Sequence, residues 1–266
     1  MDDRVGDKWA HGDAYERYVG RWSRRVAPLF LAWLRGRPGS DWADVGCGTG
    51  ALSAAILERY APSSVTGVEP SAGFLKTAQQ NLAGRAALRP GSATEIPLPD
   101  ASVDYTVSAL VLNFVADPPA AIVEMARVTR PDGVVAAYVW DYSGTMELMQ
   151  HFWAAAVALD TGAAPMAEQH RFPQCRPEPL RSLFADGGLD DVQVAPIDIA
   201  MAFASFDDYW APFLGGTGPA PMYVANLDEP SRLVLRERLR ERLPIQPEGA
   251  ITLAARAWAV RGTVGR

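Results

Sequence analysis

The stretch Asp44-Val45-Gly46-Cys47-Gly48-Thr49-Gly50 carries the densest chemical signal in the chain. Glycine has no Cβ, so a run with glycine at alternate positions lets backbone approach a ligand that side chains would hold away. Asp44 stands immediately before the run, where a carboxylate would repel a pyrophosphate and suits a ligand carrying an ammonium group. Glu69 follows about twenty residues after the glycines, at a predicted strand end, where an acid is placed to hold two ribose hydroxyls. A dinucleotide site shares the glycines and the later acid. The G-x-G-x-G spacing, in place of G-x-G-x-x-G, and the acid at position 44 separate the two readings.

For such a loop to reach a ligand, strands and helices must alternate around it. Val26, Leu29, Phe30, Trp33 and Leu34 fall at i, i+3, i+4, i+7 and i+8, which predicts an amphipathic helix over Ser23–Leu34. Asp41–Gly46 reads as a short strand, Ala51–Tyr60 as a helix and Ser64–Glu69 as the next strand. Ser71 can cap a helix carrying Phe74, Leu75, Ala78 and Leu82 that Gly84 ends. A short strand around Ala87–Arg89, a Pro-rich loop, a buried strand Val103–Leu110 and a helix Pro119–Thr129 follow. The turn Arg130-Pro131-Asp132-Gly133 leads into Val134–Trp140, an apolar run typical of a strand covered on both faces. This alternation predicts an α/β fold with a parallel sheet and right-handed crossovers.

Past Asp141 the rhythm changes. Glu147–Leu159, Pro177–Gly187, Phe206–Phe213 and Pro230–Leu243 read as helices, with strands at Val192–Ala200 and Ile251–Val260. The chain reads as a single domain, 1–266, with a cofactor-binding core at 1–142. Cap insertions fall at 143–176 and 205–248, and C-terminal sheet elements at 177–204 and 249–266. Trp153, Phe172, Phe203, Phe206, Tyr209, Trp210, Phe213 and Tyr223 make this half aromatic. One reading is an apolar or aromatic acceptor site; the other is the ordinary core of a helical cap. The run Gly215-Gly216-Thr217-Gly218-Pro219 suits a hinge or rim and lacks the G-K-[ST] ending of a phosphate loop.

Together, DVGCGTG, GVEPS (Gly67–Ser71), ATEIPLPDASVD, SALVLNFVADP and RVTRPDGVVAAYVWD resemble a class I S-adenosylmethionine-dependent methyltransferase. The similarity is to the small-molecule, ubiquinone-biosynthesis-like group and covers Ala10–Tyr142, about half of the chain. It implies a doubly wound, mostly parallel, seven-stranded Rossmann-like sheet with helical cap insertions, and S-adenosyl-L-methionine as cofactor. By that resemblance Gly46, Cys47 and Gly48 would pack against the methionine part, and Asp44 would receive its ammonium directly or through water. Glu69 would take both ribose hydroxyls, with Pro70 and Ser71 beside it, and Phe74 would pack near the adenine. The family's G-D-A pattern after the third strand is Gly91-Ser92-Ala93 here, so adenine reading passes to the Ser92 hydroxyl or to backbone groups of Ala93 and Thr94. Leu110 and Phe114 would line the methyl-donor side. The segment holding Tyr15, Tyr18, Gly20, Arg21 and Trp22 resembles a cofactor cover with Arg21 near the carboxylate. The plainer reading is a Trp22 that docks a helix and a solvated Arg21. Core packing equally explains Phe74 and Phe114, and Cys47 suits a small residue filling a tight loop.

A sulfonium methyl is already activated, so the protein must align donor and acceptor and exclude water. An acceptor hydroxyl or acidic carbon also needs a general base. Asp141 and Tyr142, at a predicted strand end, and His151 in the following helix are the candidates. A cap, a pocket wall and a surface histidine are their respective alternatives, and no catalytic residue is assigned.

The 25 Lys+Arg against 31 Asp+Glu leave a formal charge of −6, which argues against nonspecific nucleic-acid binding. Arg232, Arg236 and Arg240 nevertheless share one face of the helix Ser231–Leu243, as a solvated face or as a surface for RNA or an acidic ligand. Two cysteines, Cys47 and Cys175, cannot form a disulfide framework and suit a reducing compartment. With three scattered histidines they give no zinc pattern. The first twenty residues are charged, and the charge-free stretch Ala211–Leu227 is broken by glycines and prolines, so neither a signal peptide nor a membrane span is expected. The expectation is a cytoplasmic enzyme with a small-molecule methyl acceptor, no metal and no membrane partner, its oligomeric state open. A noncatalytic S-adenosylmethionine-binding regulatory module, an RNA or protein methyltransferase and a dinucleotide oxidoreductase stand as alternatives.

Overall fold

In the computed structural model, which describes residues 16–216 and 218–266, seven strands form one sheet. They are β1 (Asp41–Val45), β2 (Ser64–Glu69), β3 (Ala87–Pro90), β4 (Val103–Ala109), β5 (Thr129–Trp140), β6 (Leu189–Phe203) and β7 (Ile251–Val264). Their order is β3-β2-β1-β4-β5-β7-β6. The first five pair in parallel, and β7 runs antiparallel to β5. Strand order reverses at β1, which lies between β2 and β4. Ligands of open α/β sheets bind outside the carboxyl ends of the strands at such a switch point.

The helices are α1 (Arg21–Leu34), α2 (Ala51–Tyr60), α3 (Ala72–Leu82), α4 (Pro118–Val128), α5 (Glu147–Leu159), α6 (Glu168–Arg171), α7 (Pro177–Asp186), α8 (Phe206–Trp210), α9 (Pro219–Asn226) and α10 (Glu229–Arg242). Four of them start on a side-chain cap. Ser71 accepts from the Phe74 amide, Asp117 from Ala120, Ser205 from Asp208 and Asp228 from Ser231, each satisfying a donor the helix leaves unpaired.

The chain divides into two compact units. One, the sheet unit, comprises Trp22–Trp140, Gln174–Ile197 and Ala257–Arg266; the other, the aromatic unit, comprises the described residues up to Arg21 with Asp141–Pro173 and Asp198–Arg256. In the sheet unit, Trp42 on β1 is fully buried and stacks between Tyr60 (5.3 Å) and Tyr105 (4.1 Å). The Tyr60 hydroxyl donates to the Leu31 carbonyl and accepts from the Gly36 amide at 2.9 Å, tying α1 and its exit to α2. In the aromatic unit, Phe152 stacks on Phe213 at 4.6 Å, and Tyr18, Trp153, Tyr209 and Tyr223 surround the pair. Phe152, Tyr209 and Phe213 are fully buried.

Three departures from expectation have a clear physical reason. Arg130–Gly133 lies inside β5 as a ladder irregularity, not as a turn before it: Val103 pairs with Thr129 and Tyr105 with Val134, so the intervening residues bulge out. Asp41, Asp104 and the Ser102 carbonyl hold the Arg130 guanidinium and fix that bulge. The Phe206–Phe213 helix tightens into a 3-10 turn over Ala211–Gly215. Proline at 212 cannot supply the amide that an α-helix needs there. The unforeseen α9 begins on Pro219, where the missing amide is one that a helix start leaves unpaired anyway.

Candidate functional site

The glycine loop leaves β1 and is pinned to β2: the Gly46 and Cys47 amides both donate to the Val68 carbonyl, at 2.7 and 3.1 Å. Gly46 has φ 71°, and a Cβ there would lie 2.6 Å from a Val111 methyl, so both conformation and space demand glycine. Gly48, at φ 54°, differs, because a Cβ there would meet nothing within 4 Å. Its backbone faces open room, the bare surface a close-lying ligand needs. Cys47 is buried, with its sulfur 2.8 Å from where a Cβ on Gly67 would sit. Burial first, then the Asp44 and Glu69 carboxylates, push its thiol pKa up, as fits a packing residue and not a nucleophile.

Asp44 is fully buried at the end of β1. One oxygen, Oδ2, accepts from the Ser53 hydroxyl at 2.6 Å; the other, Oδ1, is buried without a hydrogen-bond partner among the described residues. Desolvation raises its pKa to about 6, against the lowering effect of Ser53 and with a smaller raising effect from Glu69. A buried carboxylate oxygen without a partner is costly, and a cation or donor from a ligand would remove that cost. Glu69 ends β2 and accepts from the Gly48 amide through Oε2 (3.1 Å) and from the Ser71 amide through Oε1 (2.9 Å). Burial raises its pKa and these two amides lower it. A carboxylate has about four lone-pair sites, so both oxygens retain capacity for hydroxyl donors. An ammonium acceptor, a bare backbone loop and a diol acceptor are the groups that S-adenosylmethionine requires, and the site fits it.

The remaining expected contacts occupy the same unit. Phe74 is buried in the first turn of α3, behind the Ser71 cap, while Pro70 is exposed. After β3, the Ser92 and Thr94 hydroxyls lie 3.2 Å apart, and Ser92 bridges to Glu95 across a tight turn that includes Ala93. Leu110, just past β4, has φ 61° and donates its amide to the Tyr138 carbonyl. A left-handed leucine at a strand end stores strain of a kind concentrated at functional sites. Phe114 is 37% exposed, a large ring in reach of solvent beside that edge. Two residues escaped the sequence reading. Ser53 gave no signal beyond its place in the helix after the loop. Asn113 is 6% exposed, and its Nδ2 is buried without a partner among the described residues. Its sequence signal was the lone amide in the apolar run Leu110–Val115.

The other candidates belong to the aromatic unit. Arg21 pairs with Asp208 at 2.9 Å and lies over the Phe203 ring at 4.7 Å. Tyr15, from the same segment, lies outside the described residues, as does Thr217 of the glycine run. Both Asp141 oxygens are taken by a turn, accepting from the Gly144 and Thr145 amides at 2.9 and 3.1 Å. Tyr142 is buried against Phe172 at 5.6 Å. His151 is half-buried, its pKa lowered by desolvation, with Glu147 raising it and Arg242 lowering it further. A cavity of about 530 Å³ opens among α5, α6 and the turn between them, lined by Trp153, Gln150, Gln169 and His170. The arginines of α10 are engaged within this unit. Arg232 pairs with Glu229, Arg236 with Asp207 and Glu237, and Arg240 with Glu237, and the last two also lie over Phe206. Among the described residues no cluster of three acidic, histidine or cysteine side chains suits a metal, and no helix is long and apolar enough to cross a membrane.

Residues 43–137 match the family described as "Methyltransferase domain". The malonyl-acyl-carrier-protein O-methyltransferase of Serratia marcescens is 36% identical over 135 residues, 48% of this chain and 52% of that protein. The demethylmenaquinone methyltransferase of Symbiobacterium thermophilum is 32% identical over 121 residues, 43% of this chain and 48% of that protein. The chain thus spans about half the length of these two relatives. A similar fold occurs in the Haemonchus contortus phosphoethanolamine N-methyltransferase 2 in complex with S-adenosyl-L-methionine. The TM-score is 0.60 at 14% identity, with 96% of this chain and 57% of that one covered.

Proposed function

We propose that the chain, whose residues 43–137 match the methyltransferase-domain family, is a class I S-adenosylmethionine-dependent methyltransferase that transfers methyl to a small, partly apolar acceptor. The observation that carries the reading is Asp44, buried with one oxygen unpartnered beside a glycine loop whose Gly48 faces open room. Asp44 takes the ammonium of the cofactor, the backbone at Gly46, Cys47 and Gly48 passes close to its methionine part, and Glu69 accepts from its hydroxyls. Pro70, Ser71 and Phe74 flank the adenosine, and Ser92, Ala93 and Thr94 present hydroxyls and backbone to the base. Leu110 and Phe114 keep the reacting edge apolar and exclude water.

When bound, the cofactor supplies a methyl group already activated by its sulfonium. The chain's own contribution is alignment and dryness, which together lower a barrier that needs no covalent enzyme intermediate. The Asn113 amide is suited to orient an oxygen-bearing acceptor. Both Asp141 oxygens are engaged in a turn, and no catalytic base is assigned. The small-molecule class is supported by relatives that act on malonyl-acyl-carrier protein and demethylmenaquinone. The internal pairing of the α10 arginines and the charge of −6 weigh against RNA. Two free, buried cysteines suit a cytoplasmic protein.

Isothermal titration tests the reading: S-adenosylmethionine should bind one per chain and NAD should not. A well-folded protein that takes up no S-adenosylmethionine overturns it.

A further inference from the structure

The buried hydrogen bond between α2 and β1 has a use beyond holding the two elements together. We infer that Ser53 is a positioning residue for cofactor binding: its hydroxyl holds Asp44 Oδ2 and reserves Oδ1 for the cofactor's ammonium. The inference rests on the methyltransferase reading and deepens it, since Ser53 itself need touch no ligand.

Both partners are fully buried, so water does not compete for the bond, and its 2.6 Å length is that of a hydroxyl on an ionised carboxylate. A carboxylate on β1 can rotate about its Cβ–Cγ bond, exchanging its oxygens between neighbours. The Ser53 donor removes that freedom, because only one oxygen can meet the hydroxyl while the other stays unpartnered. The helix supplies the precision. Ser53 stands in the first turn of α2, and the Ala54 amide of that turn donates to the Gly50 carbonyl at 2.9 Å. The glycine loop and the Asp44 clamp therefore share one rigid support. The ionisable groups that face Asp44 work against its charge: Glu69 from the end of β2 adds a like charge, burial disfavours ionisation, and Cys47 in the loop is itself neutral. Ser53 is the group that favours the charged form.

The test is calorimetric titration of S-adenosylmethionine into wild type, Ser53→Ala, Ser53→Thr and Ser53→Cys across the pH range, with melting curves confirming folding. Wild-type affinity should fall as pH drops through about 6. Loss of one hydrogen bond to a charged group predicts about tenfold or more weaker binding for Ser53→Ala above that midpoint. The midpoint itself should move to higher pH, since the hydroxyl that favours the carboxylate is gone while the Ser53 backbone donor stays. Ser53→Thr, which keeps the hydroxyl, should restore both affinity and midpoint, and Ser53→Cys, a weak donor of similar size, should fall between. Wild-type affinity and midpoint in Ser53→Ala overturn the inference. So does an equal loss in the alanine and threonine variants at an unmoved midpoint, the mark of a merely structural role. Absence of binding by the wild type is a different failure, that of the methyltransferase reading, and the inference falls with it.

Discussion

Two buried carboxylates show how differently the two units treat charge. Asp44, in the sheet unit, keeps one oxygen without a partner among the described residues and has its pKa raised to about 6. Glu168, in the aromatic unit and 3% exposed, accepts the indole N–H of Trp153. Asp141 and Arg21 of the aromatic unit are likewise committed, to the turn at Gly144 and to Asp208. In the sheet unit a buried carboxylate oxygen is left without a partner among the described residues, whereas these charged groups of the aromatic unit brace their own unit.

That contrast is sharpest under substitution in each unit. Truncating Phe213 to Ala, in the heart of the aromatic cluster, should cost about 3–5 kcal/mol of stability, measured by denaturant unfolding. Cofactor affinity of the fraction that remains folded should not change. Replacing Asp44 by Asn should do the opposite: it removes a buried charge, so melting temperature of the ligand-free protein should hold or rise. S-adenosylmethionine affinity should fall by about 3 kcal/mol, on the order of a hundredfold, by calorimetry. An Asp44→Asn protein that binds like wild type would erase the distinction between the units.

Trp153→Phe removes the indole donor to Glu168 and should cost about 1–3 kcal/mol in a melt, without moving cofactor affinity. The smallest effect is a matter of pH. Because folding raises the Asp44 pKa above its ordinary value of 3.8 to about 6, the folded state binds the extra proton between those values. The contribution of Asp44 to ligand-free stability therefore rises as pH falls through that window, while affinity for a cation falls. Melting curves with and without S-adenosylmethionine should converge toward low pH. Curves that stay parallel would mean that Asp44 does not meet the ammonium.

Much of the sheet unit was legible in the sequence. Ala51–Tyr60 and Ser64–Glu69 were read to the residue, because glycine, serine caps and apolar periodicity act over a few neighbouring positions. The bulge at Arg130–Gly133 was not, since four turn-forming residues look the same whether they precede a strand or loop out of one. The difference lies in Asp41 and Asp104, distant acids that hold Arg130. The aromatic unit was least legible. Its rings read equally as an acceptor site or as the core of a cap; Tyr209 and Phe213 are fully buried, packed with Phe152 as core.

By itself the sequence determined the alternation of strands and helices, the glycine loop and the two acids that flank it, because conformational preference and local spacing are short-range properties. Only the tertiary structure decided which Asp44 oxygen Ser53 holds, and that the other oxygen and the Asn113 amide are buried without partners among the described residues. Hydrogen-bond satisfaction and burial are set by residues remote in the chain, and no local pattern reports them.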